Sequence, residues 1–115
     1  MSKEGDDAIV NQILQKCNPK SVAKELIRDL EENAAEAAKK GEHSAFARFI
    51  TYHKSGYSGK ETGLLVDFPN SHKATETLFK MVQEYVTDKE IQLELSNIEF
   101  DSGEKNFGIK AKVEW

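Results

Sequence analysis

Cysteine, proline and long apolar runs are all scarce in this sequence. A single cysteine, Cys17, occurs among 115 residues, which excludes an intramolecular disulfide and a thiolate metal cage. Only two prolines and seven glycines are present, so the composition does not predict a disordered chain. No apolar run approaches the ~20 residues that a transmembrane helix requires. We therefore expect no membrane association, and we predict a cytoplasmic localisation in a reducing compartment.

The amino-terminal residues do not predict a signal peptide. The first residues are polar and acidic, without a basic region followed by an apolar stretch. Residues 1–6 are predicted to form a flexible leader, and residues 7–115 to form one domain, which is a common domain length. The chain has 16 basic and 20 acidic residues and a formal net charge of −4. This mild acidity does not predict strong non-specific attraction to nucleic acid.

Three segments have the apolar spacing of an amphipathic helix. The first is short and ends at Asn18-Pro19, a pair that predicts an N-cap and first turn for the second helix. The second helix is expected over residues 19–40, with Gly41 as its stop signal. The third is expected to open at residues 69–71 and to reach about residue 86. The apolar stripe of the first helix consists of Val10, Ile13, Leu14 and Cys17.

Strands are predicted where the apolar period changes to two. The first begins near His43, and its loop leads to a second strand expected over Leu64–Phe68. The last third of the chain alternates in the same way and predicts a terminal hairpin with its turn at residues 101–106. A shift of apolar parity predicts a β-bulge near Ser96-Asn97. On the first strand, Phe46, Arg48, Ile50 and Tyr52 share one face, and Ala45, Ala47, Phe49 and Thr51 share the other.

These elements occur in the order α-α-β-β-α-β-β. The simplest packing is a two-layer α+β fold with a four-stranded, mainly antiparallel sheet and the helices packed on one face. The solvent face of this sheet is then expected to carry Gln92, Glu94, Lys110 and Lys112.

Basic and aromatic residues alternate between His43 and Lys60, a segment without any acidic residue. Cationic groups for phosphates and aromatic faces for bases are what a surface for single-stranded nucleic acid needs. The alternative is a hairpin whose aromatics partly face the core and whose lysines are solvated. The candidate binding residues are Arg48, Tyr52, His53, Lys54, Tyr57 and Lys60.

The sequence does not match the spacing or the context of known catalytic and ligand-binding motifs. The segment from Gly56 to Thr62 lacks the spacing and the following helix of a P-loop, and its Gly-x-x-Gly is predicted to be a hairpin connection. The histidines lack a second histidine or cysteine at metal-ligand spacing, so neither a metal nor another cofactor is predicted. His53, a nearby serine and Asp67 would form a catalytic group only if the fold brought them together.

Three functions remain open at this stage. The first is a non-enzymatic protein-binding or accessory module, such as an adaptor, an inhibitor or a mobile-element factor. The second is binding of single-stranded nucleic acid, and the third is a small enzyme or ligand-binding domain with a helix–sheet pocket. For the first, the expected contact surfaces are the Ala-rich end of the second helix, the loop at residues 53–62 and the charged sheet face. The carboxyl-terminal strand ending at Trp115 is another if it is an unpaired edge. A homodimer is a special case of the same hypothesis.

Overall fold

Three helices form one layer of the fold. The computed structural model describes the backbone of residues 2–115 and the side chains of residues 8–115. Helix α1 is Ser2–Lys16, α2 is Pro19–Lys39 and α3 is Ser71–Gln83. The side chains of the predicted leader, residues 1–6, lie outside the described part, and the leader stays a prediction.

Polar side chains and one glycine define the helix ends. The Asn18 side chain accepts a hydrogen bond from the Lys20 amide at 2.9 Å, and Pro19 begins α2. Asn70 caps α3 in the same way by accepting from the Lys73 amide at 3.0 Å. Gly41 adopts a φ of 78° just after α2, a conformation that glycine allows at little cost.

Four strands form a single sheet. They are β1 (Ser44–Lys54), β2 (Glu61–Thr62), β3 (Gln92–Glu99) and β4 (Lys105–Glu114). The strand order is β2-β1-β4-β3, and every neighbouring pair is antiparallel. The predicted α+β class, the order of elements and the four-stranded antiparallel sheet are therefore confirmed.

The carboxyl-terminal strand is not an edge, and that prediction was wrong. Strand β4 pairs with β1 on one side and with β3 on the other. The free edges belong to β3, to the two-residue strand β2 and to the part of β1 that β2 does not reach. Chain order alone could not indicate this, because the long connection through α3 lets the last strand insert between two earlier ones.

The prediction of a strand over Leu64–Phe68 was also wrong. Strand β2 ends at Thr62, and Gly63 then turns the chain with a φ of 121°. The Leu65 amide donates to the Thr51 carbonyl oxygen at 2.9 Å, and the Leu65 side chain is completely buried. The apolar residues here fill the core from an irregular segment, and short apolar runs do not distinguish that role from a strand.

The β-bulge lies in β1 and not in β3. The β3–β4 register runs without a shift, whereas the β1–β4 register shifts between Ile50 and Tyr52. Ile50 pairs with Gly108 and Tyr52 pairs with Phe107, so Thr51 is the additional residue. Cross-strand partners share a face of the sheet, and Tyr52 is therefore turned to the face opposite Ile50.

The core lies between the helices and one face of the sheet. Its buried side chains come from all three helices, from the sheet and from the segment after β2. One polar contact is enclosed within it, between the hydroxyl groups of Thr51 and Thr75. Among the described residues, no helix combines the length and the apolar character needed to cross a membrane. The largest fully buried apolar side chains are Ile13, Leu26, Leu65, Leu78, Val82 and Ile109.

Candidate functional site

The face of the sheet opposite the helices is the main exposed surface of interest. Ile109 and Ala111 of β4 are completely buried on the helix side, so the alternating residues of β4 and their cross-strand partners point outward. We call this surface the open face. Its residues are Phe46, Arg48, Ile50, Gln92, Glu94, Ser96, Ile98, Gly108, Lys110 and Lys112. The predicted position of Gln92, Glu94, Lys110 and Lys112 on the solvent side is thereby confirmed.

Phe46 is the most prominent apolar side chain on the open face. It is 50% exposed, and Ile50 on the same strand is 39% exposed. The Arg48 guanidinium carbon lies 5.4 Å from the Phe46 ring centroid, and the Lys110 ammonium nitrogen lies 4.8 Å from it. These are cation–π distances, so the two cations hold the ring in place without covering it.

The residues beside Ile50 on the two neighbouring strands are small. Ile50 is paired with Gly108, and Gly108 is paired with Ser96. A Cβ atom at Gly108 would collide with the Phe49 carbonyl oxygen, so this position requires glycine. Gly108 and Ser96 are both buried, so the exposed apolar surface of this row comes from Ile50.

Both lysines of the open face lie beside a carboxylate. Lys110 lies 3.5 Å from Glu94, and Lys112 lies 2.9 Å from Glu114. Hydrogen bonding to Glu114 and its negative charge raise the pKa of Lys112, and the charge of Glu94 adds to the effect. No described carboxylate lies within ion-pair distance of Arg48 on this face. The surface is therefore mixed in charge, with Arg48 as its uncompensated cation.

The six residues proposed from the basic and aromatic segment do not share one surface. Arg48 lies on the open face, whereas the bulge turns Tyr52 to the helix side, where its ring stacks on Phe107 with centroids 5.1 Å apart. The predicted common face of Tyr52 with Phe46, Arg48 and Ile50 was wrong for this reason. The remaining four lie around the sheet end: His53 beside Glu104, Lys54 opposite Lys105, and Tyr57 and Lys60 in the exposed β1–β2 loop.

Tyr52 occupies a buried and partly acidic environment. Its pKa is raised above the ordinary value of 10.0 by burial first, and then by the negative charge of Glu61 and a hydrogen bond to that carboxylate. The neutral phenol is the form that fits the fold, because ionisation would place a second negative charge beside Glu61. This environment suits a structural side chain rather than an accessible binding group.

Ionisation of Tyr52 is expected above pH 10 in the folded protein. An unfolded tyrosine releases its proton near 10, so stability is retained below that pH and falls as the pH rises toward the higher folded pKa. The measurement is the ultraviolet absorbance of tyrosinate against pH for the wild type and Tyr52→Phe, whose difference isolates Tyr52. A difference curve with its midpoint at or below 10 contradicts the prediction.

The candidate catalytic residues are not assembled into one group. His53 Nε2 lies 3.1 Å from Glu104 Oε1, whereas Asp67 pairs with Lys16 at 3.0 Å. Ser55 Oγ accepts hydrogen bonds from the amides of Tyr57 and Ser58, both at 3.2 Å, and so organises the loop. Within the described residues, no three His, Cys, Asp or Glu side chains lie close enough to hold a metal ion.

The sequence did not indicate two features of the region around Phe46. The first is the exposure of Phe46 and Ile50, which are not among the six predicted binding residues although their alternation with Arg48 predicts a shared face. The second feature is Asn33 of α2, whose side-chain amide donates to the Phe46 carbonyl oxygen at 2.8 Å. No sequence pattern indicates this contact, since it joins a helix face to a strand edge.

The fold and this surface define a two-layer α+β protein with one uncovered sheet face. No protein-family model, curated protein or solved structure matches the chain. Arg48 with its exposed neighbours Phe46 and Ile50 is the part of this surface that is available for binding.

Proposed function

We propose that this chain is a non-enzymatic, cytoplasmic protein-binding module that docks a partner protein on its open face. It belongs to the accessory class that includes adaptors, inhibitors and mobile-element factors. The observation that carries the proposal is the exposure of Phe46 and Ile50 on both sides of Arg48 on an uncovered sheet face. Aromatic and arginine side chains are the residue types that contribute most binding energy at protein interfaces.

The energetics of the open face favour a modest, specific contact. Phe46 is already half covered by its neighbours, so a partner that buries the remaining half gains about 1 kcal/mol from it. The surrounding ion pairs suit a polar rim, which supplies specificity more than affinity. Arg48 adds the opportunity for a hydrogen-bonded pair with a carboxylate of the partner.

Binding of single-stranded nucleic acid is the second candidate function. It is favoured by the exposed Phe46 ring with two cations beside it, since bases stack on such rings. It is disfavoured by the carboxylate partners of Lys110 and Lys112 and by the position of Tyr52 on the opposite face. A catalytic function has less support, because His53 and Asp67 have separate partners.

Affinity capture with matched variants tests the proposal. The wild-type chain and the double variant Phe46→Ser, Ile50→Ser are used as baits in a lysate of the source organism. We expect the double variant to retain about one tenth of a specifically captured protein, because both apolar contacts are lost. The control is Tyr57→Ser, which removes a fully exposed aromatic side chain from the β1–β2 loop. Equal capture by the double variant and the wild type contradicts the proposal.

The nucleic-acid alternative has its own measurement. Fluorescence anisotropy with short labelled single-stranded RNA and DNA is recorded at low and moderate salt. Under the protein-binding proposal, the titration stays flat at both salt concentrations. Binding that weakens steeply with salt and requires Arg48 would support the nucleic-acid function instead.

A further inference from the structure

The outer edge of β1 has no strand beside it over residues 44–50. Strand β2 pairs only with His53 and Lys54. Two hydrogen bonds show which way the backbone groups of this edge point. The Trp115 amide donates to the His43 carbonyl oxygen at 2.8 Å, so odd-numbered residues here face β4, and Asn33 reaches the Phe46 carbonyl oxygen from the other side.

The residues with outward backbone groups are also those with side chains on the open face. Phe46, Arg48 and Ile50 direct their N–H and C=O groups away from β4 and carry exposed or half-exposed side chains. A strand added at this edge would place its alternate side chains directly opposite these three, at cross-strand distance. The edge therefore offers unpaired backbone N–H and C=O groups to an added strand. It also offers an aromatic, a cationic and an aliphatic side chain on the same face.

Helix α2 forms the second wall of this edge. A groove between the end of α2 and the start of β1 is lined by Asn33, Glu36, Ala37 and Lys40 on the helix side and by Phe46 on the strand. An extended segment paired with this end of β1 would therefore lie between the strand and α2.

We propose that the partner contributes an extended segment that pairs with the outer edge of β1 as a fifth strand. This inference rests on the proposed protein-binding function and names the class of partner. The expected segment carries an acidic residue opposite Arg48 and apolar residues two positions before and after it, opposite Phe46 and Ile50. Charge complementarity supports this choice, because no described carboxylate of the chain itself pairs with Arg48.

Two alternatives are less suited. They are pairing of the segment with the free edge of β3 and pairing of β1 with a second copy of the chain. On β3, the Phe100 amide donates to the Glu104 carbonyl oxygen, so the outward groups belong to residues such as Leu93 and Leu95, whose side chains lie on the helix side. A second copy paired antiparallel through β1 and centred on Arg48 places two arginines opposite each other, which is repulsive.

The Asn33 side chain occupies a hydrogen-bonding position that an added strand would use. Its side-chain amide donates to the Phe46 carbonyl oxygen as a neighbouring backbone amide would. An added strand must displace it, so Asn33 lowers the affinity of the edge for any partner. Protection of an unpaired edge in this way limits unspecific pairing between chains.

Nuclear magnetic resonance titration of the labelled protein with a synthetic peptide tests the inference. The probe is acetyl-Ser-Val-Thr-Glu-Thr-Val-Ser-amide, and its control replaces the glutamate by lysine. We expect shifts at the amides of Arg48 and Ile50 and at the Asn33 side chain. Affinity is expected to rise about fivefold in Asn33→Ala and to fall about fivefold in Arg48→Ala, since each change adds or removes about one hydrogen bond.

A backbone-modified probe separates strand addition from docking on the open face. Methylation of the glutamate nitrogen in the peptide removes an N–H that would donate to β1, and binding should be lost. Equal binding of the methylated peptide, shifts confined to β3, or no binding of the original peptide overturns strand addition. If capture still depends on Phe46 and Ile50 in that case, the protein-binding proposal stands and only the strand-addition inference fails. Concentration-dependent dimerisation through residues 44–50 would also overturn it in favour of a second copy.

Discussion

Replacement of Gly63 by alanine is expected to destabilise the fold by about 3–5 kcal/mol. Gly63 has a φ of 121°, a conformation that residues with a Cβ rarely adopt. An added Cβ would lie 2.5 Å from the Thr51 carbonyl oxygen and 2.9 Å from the Thr51 carbonyl carbon. Because both contacts are with backbone atoms at the β-bulge, a side-chain rotation cannot relieve them.

The Gly63→Ala substitution is also expected to disturb the packing of the core. Moving residue 63 away from β1 breaks the hydrogen bond from the Leu65 amide to the Thr51 carbonyl oxygen and withdraws the fully buried Leu65 side chain. Chemical denaturation monitored by circular dichroism measures the loss of stability.

The matched control is Gly59→Ala. Gly59 also has a positive φ, of 71°, but nothing lies within 4 Å of its Cβ position. Its cost is limited to the left-handed backbone, about 1–2 kcal/mol. Equal losses in the two variants would show that the close approach to Thr51 does not contribute.

Truncation of Ile13 to alanine is expected to cost about 2–4 kcal/mol. The Ile13 side chain is completely buried in the core, where α1 packs against α3. Removal of its methyl groups leaves a cavity at the contact between the two helices. The expected result is a lower denaturation midpoint and faster proteolytic cleavage within α1.

The adjacent residue provides the control. Leu14 has a side chain of the same composition on the same helix, but it is 51% exposed. Leu14→Ala should change stability by no more than about 0.5 kcal/mol. A loss for Leu14→Ala as large as that for Ile13→Ala would contradict the packing of α1 described above.

Local signals in the sequence were sufficient for the fold class and for most elements, but not for β2, which was predicted over Leu64–Phe68. Asn18 and Asn70 accept hydrogen bonds from the first free amides of their helices, and Gly41 ends α2. These are contacts within a few residues, so the sequence encodes them directly. The alternation in β3 and β4 likewise identified the hairpin and its solvent face. Alternation also placed Phe46, Arg48 and Ile50 together, which is the centre of the candidate site.

Tertiary structure decided the features that depend on residues distant in the chain. The bulge lies at Thr51 because its hydroxyl contacts Thr75 and its carbonyl accepts from Leu65, and no local pattern contains these partners. That one additional residue turns Tyr52 away from the open face and divides the surface predicted from alternation. The outer side of β1 is open over residues 44–50 because β2 pairs only with His53 and Lys54, and the order of the strands in the chain does not specify this. Periodicity therefore determined which residues share a strand face, and long-range packing determined which faces and edges remain open.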